Sequence, residues 1–416
     1  MKDEQQYDVA IVGGGLVGIS LACALSRINP APSIILIESS DYTGFPPPGF
    51  DSRTLALSYS SQQIFQALEL WPDIERRGVS PISTIHISDR GHPGLTRLQA
   101  DEQQVEALGY VVENRILGEA LLEAMQSRSN IFLLAPAEVT DIQINQAAAT
   151  ITLKQGDESK TIHTKLVVAA DGSESFVRRH LHIQQRHLDY HQSAVITNVA
   201  CDKPHQQIAY ERFTPTGPMA LLPLTGIDDF PHRYGLVWTV PAPHVDSVMA
   251  MSDDAFLAAL QERFGKRVGR FLRAGKRHAY PLGLSMINEH IRHRLAFIGN
   301  AAHTLHPVAG QGFNLGLRDV AALVQVIRDA IQQQQDYGAR EVLQQYADWR
   351  RRDHRVTTLF TDSLVRIFSN SFAPLVVARN VGLMAMDLLA PVRKRLTRHA
   401  MGYIGKASRL ARGLDL

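Results

Sequence analysis

The first forty residues leave this chain few folds to choose from. Tyr7–Val12 is a short apolar run, YDVAIV, that reads as a strand. It passes directly into Gly13-Gly14-Gly15-Leu16-Val17-Gly18, and a helical pattern follows through Leu21, Ala22 and Leu25. A second apolar run, Ser33–Ile37, ends at Glu38. Strand, glycine turn, helix, strand and acid together make a dinucleotide-binding βαβ unit. Gly13 permits the tight turn, Gly15 lets a pyrophosphate approach the helix N-terminus, and Gly18 lets helix and strand pack closely. Glu38 lies 20 residues after Gly18, placed to accept hydrogen bonds from a ribose diol. The unit alone does not choose between NAD and FAD. Its position at the head of the chain, with a second cofactor-facing segment much later, favours FAD.

That later segment is Leu295–Asp319, LAFIGNAAHTLHPVAGQGFNLGLRD. An apolar run ends at Gly299, a loop carries His303, His306 and Pro307, and Gly310-Gln311-Gly312-Phe313-Asn314 opens a helix. Val320, Val324, Ile327 and Ile331 then fall on one helical face. The free N–H groups and dipole of such a helix start favour negative charge, and glycines let a ligand come close. His303 and His306 are three apart, but no carboxylate or cysteine is spaced to complete a metal site, so no metal is expected.

Between these two anchors the chain changes character. Ile82–Ser88 alternates as a strand. Leu166–Ala170 is a buried strand ending in Asp171-Gly172, with Ser175 and Arg178 following as D-G-x-x-S-x-x-R. An acid at the carboxyl end of a parallel strand is where ligands bind in such sheets. From Ala194 to Val240, successive strand-like runs suggest a second, largely antiparallel sheet roofing a pocket. Ala279–Leu282 reads as a strand returning to the first domain. Past Arg318 the pattern is helical. The fold expected is α/β: an FAD-binding Rossmann-like domain (1–80, 100–185, 279–335), an inserted antiparallel substrate-binding sheet (81–99, 186–278) and a C-terminal helical region (336–416).

Bulk properties narrow the partners. The 416 residues carry a net charge of +2, which gives no argument for nucleic acid. Two cysteines, Cys23 and Cys201, suggest a reducing compartment and no disulfide framework. MKDEQQYD shows no signal-peptide core, and no apolar run is long enough to span a bilayer, so a cytoplasmic protein is expected. Val392–Leu416 holds seven Lys and Arg and one acid, Asp415. Interleaved Leu396, Met401, Ile404 and Leu410 give it an amphipathic look, read either as a solvated helix face or as contact with an acidic partner or an anionic membrane surface, peripheral at the inner membrane.

The three motifs, in this order, resemble the aromatic-ring flavoprotein monooxygenases with the p-hydroxybenzoate hydroxylase fold. The likeness runs over nearly the whole chain. His306–Asp319 is similar to the signature of the ubiquinone-biosynthesis hydroxylases in that family. SDRGH (Ser88–His92), ERFTPTGPMALLPL (Glu211–Leu224), TDSLVRIFSN (Thr361–Asn370) and APLVVARNVGLM (Ala373–Met384) resemble the members acting on 2-polyprenyl-6-methoxyphenol. The resemblance implies that NAD(P)H reduces bound FAD, that reduced flavin takes O2 to a C4a-hydroperoxide, and that this hydroxylates the ring of a hydrophobic polyprenyl phenol. It also implies partners in a ubiquinone-biosynthesis complex. A sister hydroxylase for another ring position or a soluble aromatic acid, and a non-catalytic flavin-binding subunit of a lipid-processing complex, remain as alternatives.

Residue by residue, the resemblance assigns Gly13, Gly15, Gly18 and Glu38 to the ADP half. Arg53, which alone reads as a surface arginine, matches one near the flavin. Asn114 stands where many relatives have Arg or Gln on the ribityl chain. Asp171 and Arg178 match a motif tied to FAD and NAD(P)H. Asn300 replaces an Asp that contacts ribityl hydroxyls. Pro307 matches a proline packed by the flavin and substrate, Gly310, Gln311, Gly312, Phe313 and Asn314 would bind the cofactor, and the backbone N–H groups of Gly312 to Asn314 would stabilise the anionic reduced ring. No general base is evident. Tyr210, His303 and His306 qualify by residue type alone.

Overall fold

The computed structural model describes residues 5–42, 49–227, 229–304, 311–368, 372–403 and 405–416. Pro307 and Gly310, with His306 and Ile404, lie outside the described residues, as does the side chain of Gln311.

The opening apolar run becomes the strand Gln5–Val12, and Val9, Ala10 and Ile11 are fully buried. It pairs in parallel with Ile34–Ile37 on one side and Glu158–Ala169 on the other. Ile131–Leu134 and Leu295–Phe297 extend the parallel set outward, giving the order Leu295–Phe297, Glu158–Ala169, Gln5–Val12, Ile34–Ile37, Ile131–Leu134. Strands buried on both faces need continuous apolar sequence, which IILI and LVVA provide. The antiparallel pair Glu138–Ile144 and Ala149–Gln155 flanks this sheet. The helices Leu16–Leu25, Asn114–Gln126 and Gln311–Gln332 pack in one core on one of its faces.

A second sheet of nine strands is antiparallel at every pairing but one. Its central strand Gln185–Cys201 pairs with Arg233–Pro241 and with His278–Ile287. The parallel exception joins Ile208–Thr214 to Thr84–Asp89, so the hairpin Thr84–Gln99 enters this sheet from far upstream. Ala279–Leu282 therefore belongs to the second sheet, not to the first as expected from sequence. Four apolar or polar-apolar alternations cannot by themselves say which sheet a strand joins. A small third sheet, Thr54–Ser58, Gly109–Glu113 and Val79–Ile82, lies against the second one through Val111 and Leu224.

Beyond Gln332 the helices Arg340–Phe368, Ala373–Leu388 and Ala390–Ala400 follow. Helix Ala373–Leu388 is fastened by its polar side. Buried Asp89 accepts hydrogen bonds from Arg379 Nε and Asn380 Nδ2, both at 2.8 Å, and Gly94 N–H donates to Asn380 Oδ1 at 2.9 Å. Two of the sequence motifs, SDRGH and APLVVARNVGLM, thus meet in space. Part of the apolar side of the final segment turns inward: Met401 and Leu410 are buried and Leu396 packs beside Met401, while Val392 and Leu414 stay exposed. Arg393 pairs with Glu102 at 2.7 Å. Among the described residues no helix is long and apolar enough to cross a membrane.

Candidate active site

The glycine turn has the geometry its sequence demands. Gly13 adopts a φ of +105°, and a side chain there would strike the Ala170–Asp171 backbone. A Cβ on Gly18 would overlap the Gly13 carbonyl oxygen, whereas one on Gly15 would meet open space. Gly15 is the N-cap of helix Leu16–Leu25 and has no side chain to cap it. The free N–H groups of the first helical turn therefore look onto a groove.

That groove is lined by Gly13, Gly15, Glu38, Asp171, Gly172 and Phe176. Glu38 Oε2 accepts from Gly14 N–H at 2.7 Å, and Oε1 accepts from Ser40 N–H at 2.8 Å. Tyr42 OH donates to the Gly14 carbonyl. Asp171 Oδ2 accepts from Val177 N–H at 3.1 Å, while its Oδ1 is buried without a hydrogen-bond partner. Burial raises the Asp171 carboxyl above the usual range, with hydrogen bonds from Ser175 and Val177 opposing. Arg178 points away. Its guanidinium donates to the carbonyls of Ser173 (2.6 Å) and Ala301 (3.4 Å), tying the Asp171 loop to the turn Gly299–Ala301. It supports the groove from behind.

On the other side of Gly14 and Gly15 a second groove brings Arg53 and Asn114 together. Asn114 N–H donates to the Arg53 carbonyl at 2.8 Å, and Asn114 Oδ1 is a buried atom with no partner. The Arg53 side chain is exposed, with Tyr280 OH 3.4 Å away.

The third part of the site lies where the two sheets face each other. A cavity of about 350 Å³ is walled by the small sheet, by the second sheet and by Asn300, Gly312, Phe313 and Asn314. Gly312 has open space where a Cβ would stand. The Asn314 side chain is committed to the protein: Nδ2 donates to the Ala56 carbonyl, and Oδ1 accepts from Ser58 N–H and Ser61 Oγ. What Asn314 offers the cavity is backbone. Thr304 Oγ1, also on the cavity wall, is a buried atom without a partner. Glu211 enters from the opposite wall. No Lys or Arg is among the described lining residues.

Gly299 and Gly316 both press on Val17, so the first helix, the turn Gly299–Ala301 and the helix Gln311–Gln332 converge on one residue. A buried ionic cluster holds that junction. Asp319 Oδ2 accepts from Gly299 N–H at 3.1 Å and lies 2.6 Å from His303 Nε2. Its Oδ1 accepts from Arg350 Nε at 2.7 Å and lies 2.8 Å from His354 Nε2. Arg350 also pairs with Asp353, which Arg318 Nε reaches at 2.9 Å. Burial pushes the Asp319 carboxyl up, but Arg350, His303 and His354 outweigh it and hold it well below the usual range. Burial lowers His354 to about 4. His303, Asp319 and His354 form a set that could hold a metal ion, which sequence spacing missed because Asp319 and His354 lie on two later helices. Arg350 and three other donors already fill both Asp319 oxygens.

Sequence reasoning also missed Glu211, because nothing local to the strand says which face it takes. Of the bases considered by type, Tyr210 packs its ring among His86, Tyr234 and Phe264. His303 is bound to Asp319, with its Nδ1 buried and unpartnered.

Comparison with known proteins identifies the family. The FAD binding domain family matches residues 6–360. The ubiquinone hydroxylase UbiL of Rhodospirillum rubrum is 38% identical over 98% of this chain and 93% of its own length. The 3-demethoxyubiquinol 3-hydroxylase of Escherichia coli is 31% identical over 96% and 99%. Among solved structures, the p-nitrophenol 4-monooxygenase of Pseudomonas putida superposes with a TM-score of 0.77 at 18% identity, covering 95% of this chain and 98% of that one.

Proposed function

The chain belongs to the FAD-binding family of aromatic flavoprotein hydroxylases, and we propose that it hydroxylates the ring of 2-polyprenyl-6-methoxyphenol on the way to ubiquinone. FAD, when bound, supplies the electrons taken from NAD(P)H and, with O2, the electrophilic oxygen. The residues present fit that group: an open helix start at Gly15, and two buried oxygens, Asp171 Oδ1 and Asn114 Oδ1, with unmet hydrogen-bonding capacity. Gly13, Gly15, Glu38 and Asp171 would hold the ADP half, Arg53 and Asn114 the linker, and Asn300 with the Gly312–Asn314 backbone the ring. Peptide N–H groups at that helix start favour negative charge on the reduced ring.

The observation that carries the substrate is the lining of the cavity. Ile82, Ile85, Leu108, Leu222, Leu236 and Val237 make it apolar, and no Lys or Arg stands among its described lining residues to pair with a carboxylate. A soluble aromatic acid would lose its hydration there with no Lys or Arg among those residues to offset the loss. Its volume of about 350 Å³ suits a substituted ring, not a ring with its whole prenyl chain. The chain must therefore leave the cavity, and Ala400 in the wall puts the helix Ala390–Ala400 beside it.

That helix begins at an apolar surface. Val377, Val381, Met384 and Leu388 form one exposed stripe, joined by Leu389 and Val392, with Lys394, Arg395 and Arg398 exposed beyond. An apolar stripe bordered by Lys and Arg suits an anionic membrane surface, where a polyprenyl phenol resides. The membrane contact expected of the final basic segment is in this reading made mainly by the preceding helix.

Metabolite profiling of a deletion strain tests the function. The expected result is accumulation of the polyprenyl methoxyphenol lacking one ring oxygen. Unchanged quinone composition, in a strain without a second such gene, would falsify the assignment. Accumulation of a different ring precursor would move the hydroxylated position.

A further inference from the structure

Glu211 lies on Ile208–Thr214, a strand inside the second sheet. It is opposite Ala220 on one neighbour and Ile87 on the other. Side chains alternate along a strand. Tyr210 goes to the far face, where it packs with Tyr234 and Phe264. Ala209 goes to the near face, with Ile82, Val111 and Leu224. Glu211 shares that near face and reaches the cavity wall between Ile85 and Leu222.

The carboxyl has no hydrogen-bond or ion-pair partner among the described residues. The charged groups nearest in sequence and register point elsewhere: Arg212 Nε donates to the Arg263 carbonyl, and Asp89 is taken up by Arg379 and Asn380. An unpaired carboxyl in an apolar cavity is costly unless a ligand uses it. Across the cavity are the helix start at Gly312 and the orphaned Thr304 hydroxyl.

We propose that Glu211 is the proton acceptor that ionises the phenol of the substrate. The proposal rests on the hydroxylase reading above. In this step the phenol O–H bond breaks and its proton moves to a Glu211 carboxylate oxygen. The bonding pair stays on the phenol oxygen and delocalises into the ring, enriching the carbon that receives the new oxygen. Once that carbon has gained its oxygen, its C–H bond breaks and its electron pair restores the aromatic ring. That proton leaves to solvent, and Glu211 returns its own to the original phenol oxygen. The enclosure also suits the base to its task. Burial pushes the carboxyl up to about 8, close to the value near 10 of a simple phenol, so the transfer is far less uphill than to an ordinary carboxylate.

The test uses the FAD-loaded, full-length enzyme with a short-chain prenylated 2-methoxyphenol. Wild type, Glu211→Gln and Glu211→Asp are compared across pH for kcat, for product formed per NAD(P)H oxidised, and for the near-ultraviolet band of bound phenolate. Wild type should show a kcat limb near pH 8 and a bound phenol that ionises at lower pH than it does free in solution. Glu211→Gln should lose the limb, keep the bound phenol neutral, and drop kcat by about 100-fold or more with KM changed only a few-fold. Glu211→Asp should keep the limb at a reduced rate. Should Glu211→Gln fail to retain FAD, the aspartate variant decides: loss of its limb overturns the proposal. A glutamine variant that retains the limb, the phenolate band and a rate within about threefold of wild type also overturns it. A wild-type enzyme that neither binds nor hydroxylates the phenol overturns the hydroxylase reading and this one with it. A wild type that hydroxylates beside an unaffected variant overturns this one alone.

Discussion

Single residues in the glycine turn do separable things. Gly18 has no room for a methyl group, and Gly15 has nothing before it. Gly18→Ala is expected to lower the melting temperature of the FAD-free protein. Gly15→Ala should leave that temperature within a degree or so and weaken FAD binding, read by flavin fluorescence on titration. Equal thermal losses in both variants would contradict these roles. These glycines were legible in sequence because their demands are local: a positive φ, a close contact, a gap. Glu211 was not, because its face is fixed by a parallel pairing with Thr84–Asp89, more than a hundred residues upstream. Its protonation leaves a mark on stability too. Folded, the carboxyl keeps its proton to about pH 8; unfolded, only to about 4.5. Across that window the folded state binds more protons, so this group makes stability fall as pH rises. Glu211→Gln should therefore melt above wild type by a margin that widens from pH 4.5 toward pH 8.

At the scale of elements, the helix Gln311–Gln332 carries two duties. Its start faces the cavity at Gly312, and about two turns later Asp319 locks it to Gly299, Arg350 and two histidines. Asp319→Asn would leave Arg350 less than fully compensated inside the protein, a loss of about 3–5 kcal/mol by the usual cost of breaking a buried pair. Urea denaturation measures it. His354 keeps its proton off until about pH 4 when folded, against about 6.5 unfolded. Its contribution to stability therefore falls as pH drops through that interval. The charge-favouring helix start predicts a different effect for Gly312→Val. The flavin reduction potential should fall more than FAD affinity does, and a normal potential with lost affinity would argue against it. Sequence pattern located this helix well, since its period is long and strong. It could not show that Asn314 spends its side chain on Ala56, Ser58 and Ser61, partners some 250 residues away.

For the whole molecule, Ala400 in the cavity wall ends the helix Ala390–Ala400, whose other end adjoins the exposed stripe. If a membrane meets that stripe, Val381→Glu with Leu388→Glu should reduce cosedimentation with vesicles containing anionic lipid at least several-fold while FAD stays bound. Vesicle binding unchanged by the pair would remove the membrane reading. The basic final segment looked amphipathic in sequence, but of its apolar residues Met401 and Leu410 turn to the protein while Val392 and Leu414 stay exposed. Sequence alone cannot tell an apolar face meant for lipid from one meant for the chain's own core. The convergence of three distant segments on Val17 has a further outcome in the order of synthesis. The turn beside Val17 is made within the first twenty residues, yet Gly299 and Gly316, which press on it, are made some 280 to 300 residues later. At ribosomal rates of roughly 5–20 residues per second, that is about 15 to 60 seconds. During that interval the opening βαβ unit lacks its closing helix, so durable capture of the nucleotide belongs to the last quarter of translation, and nascent chains stopped before Asp319 should hold FAD poorly.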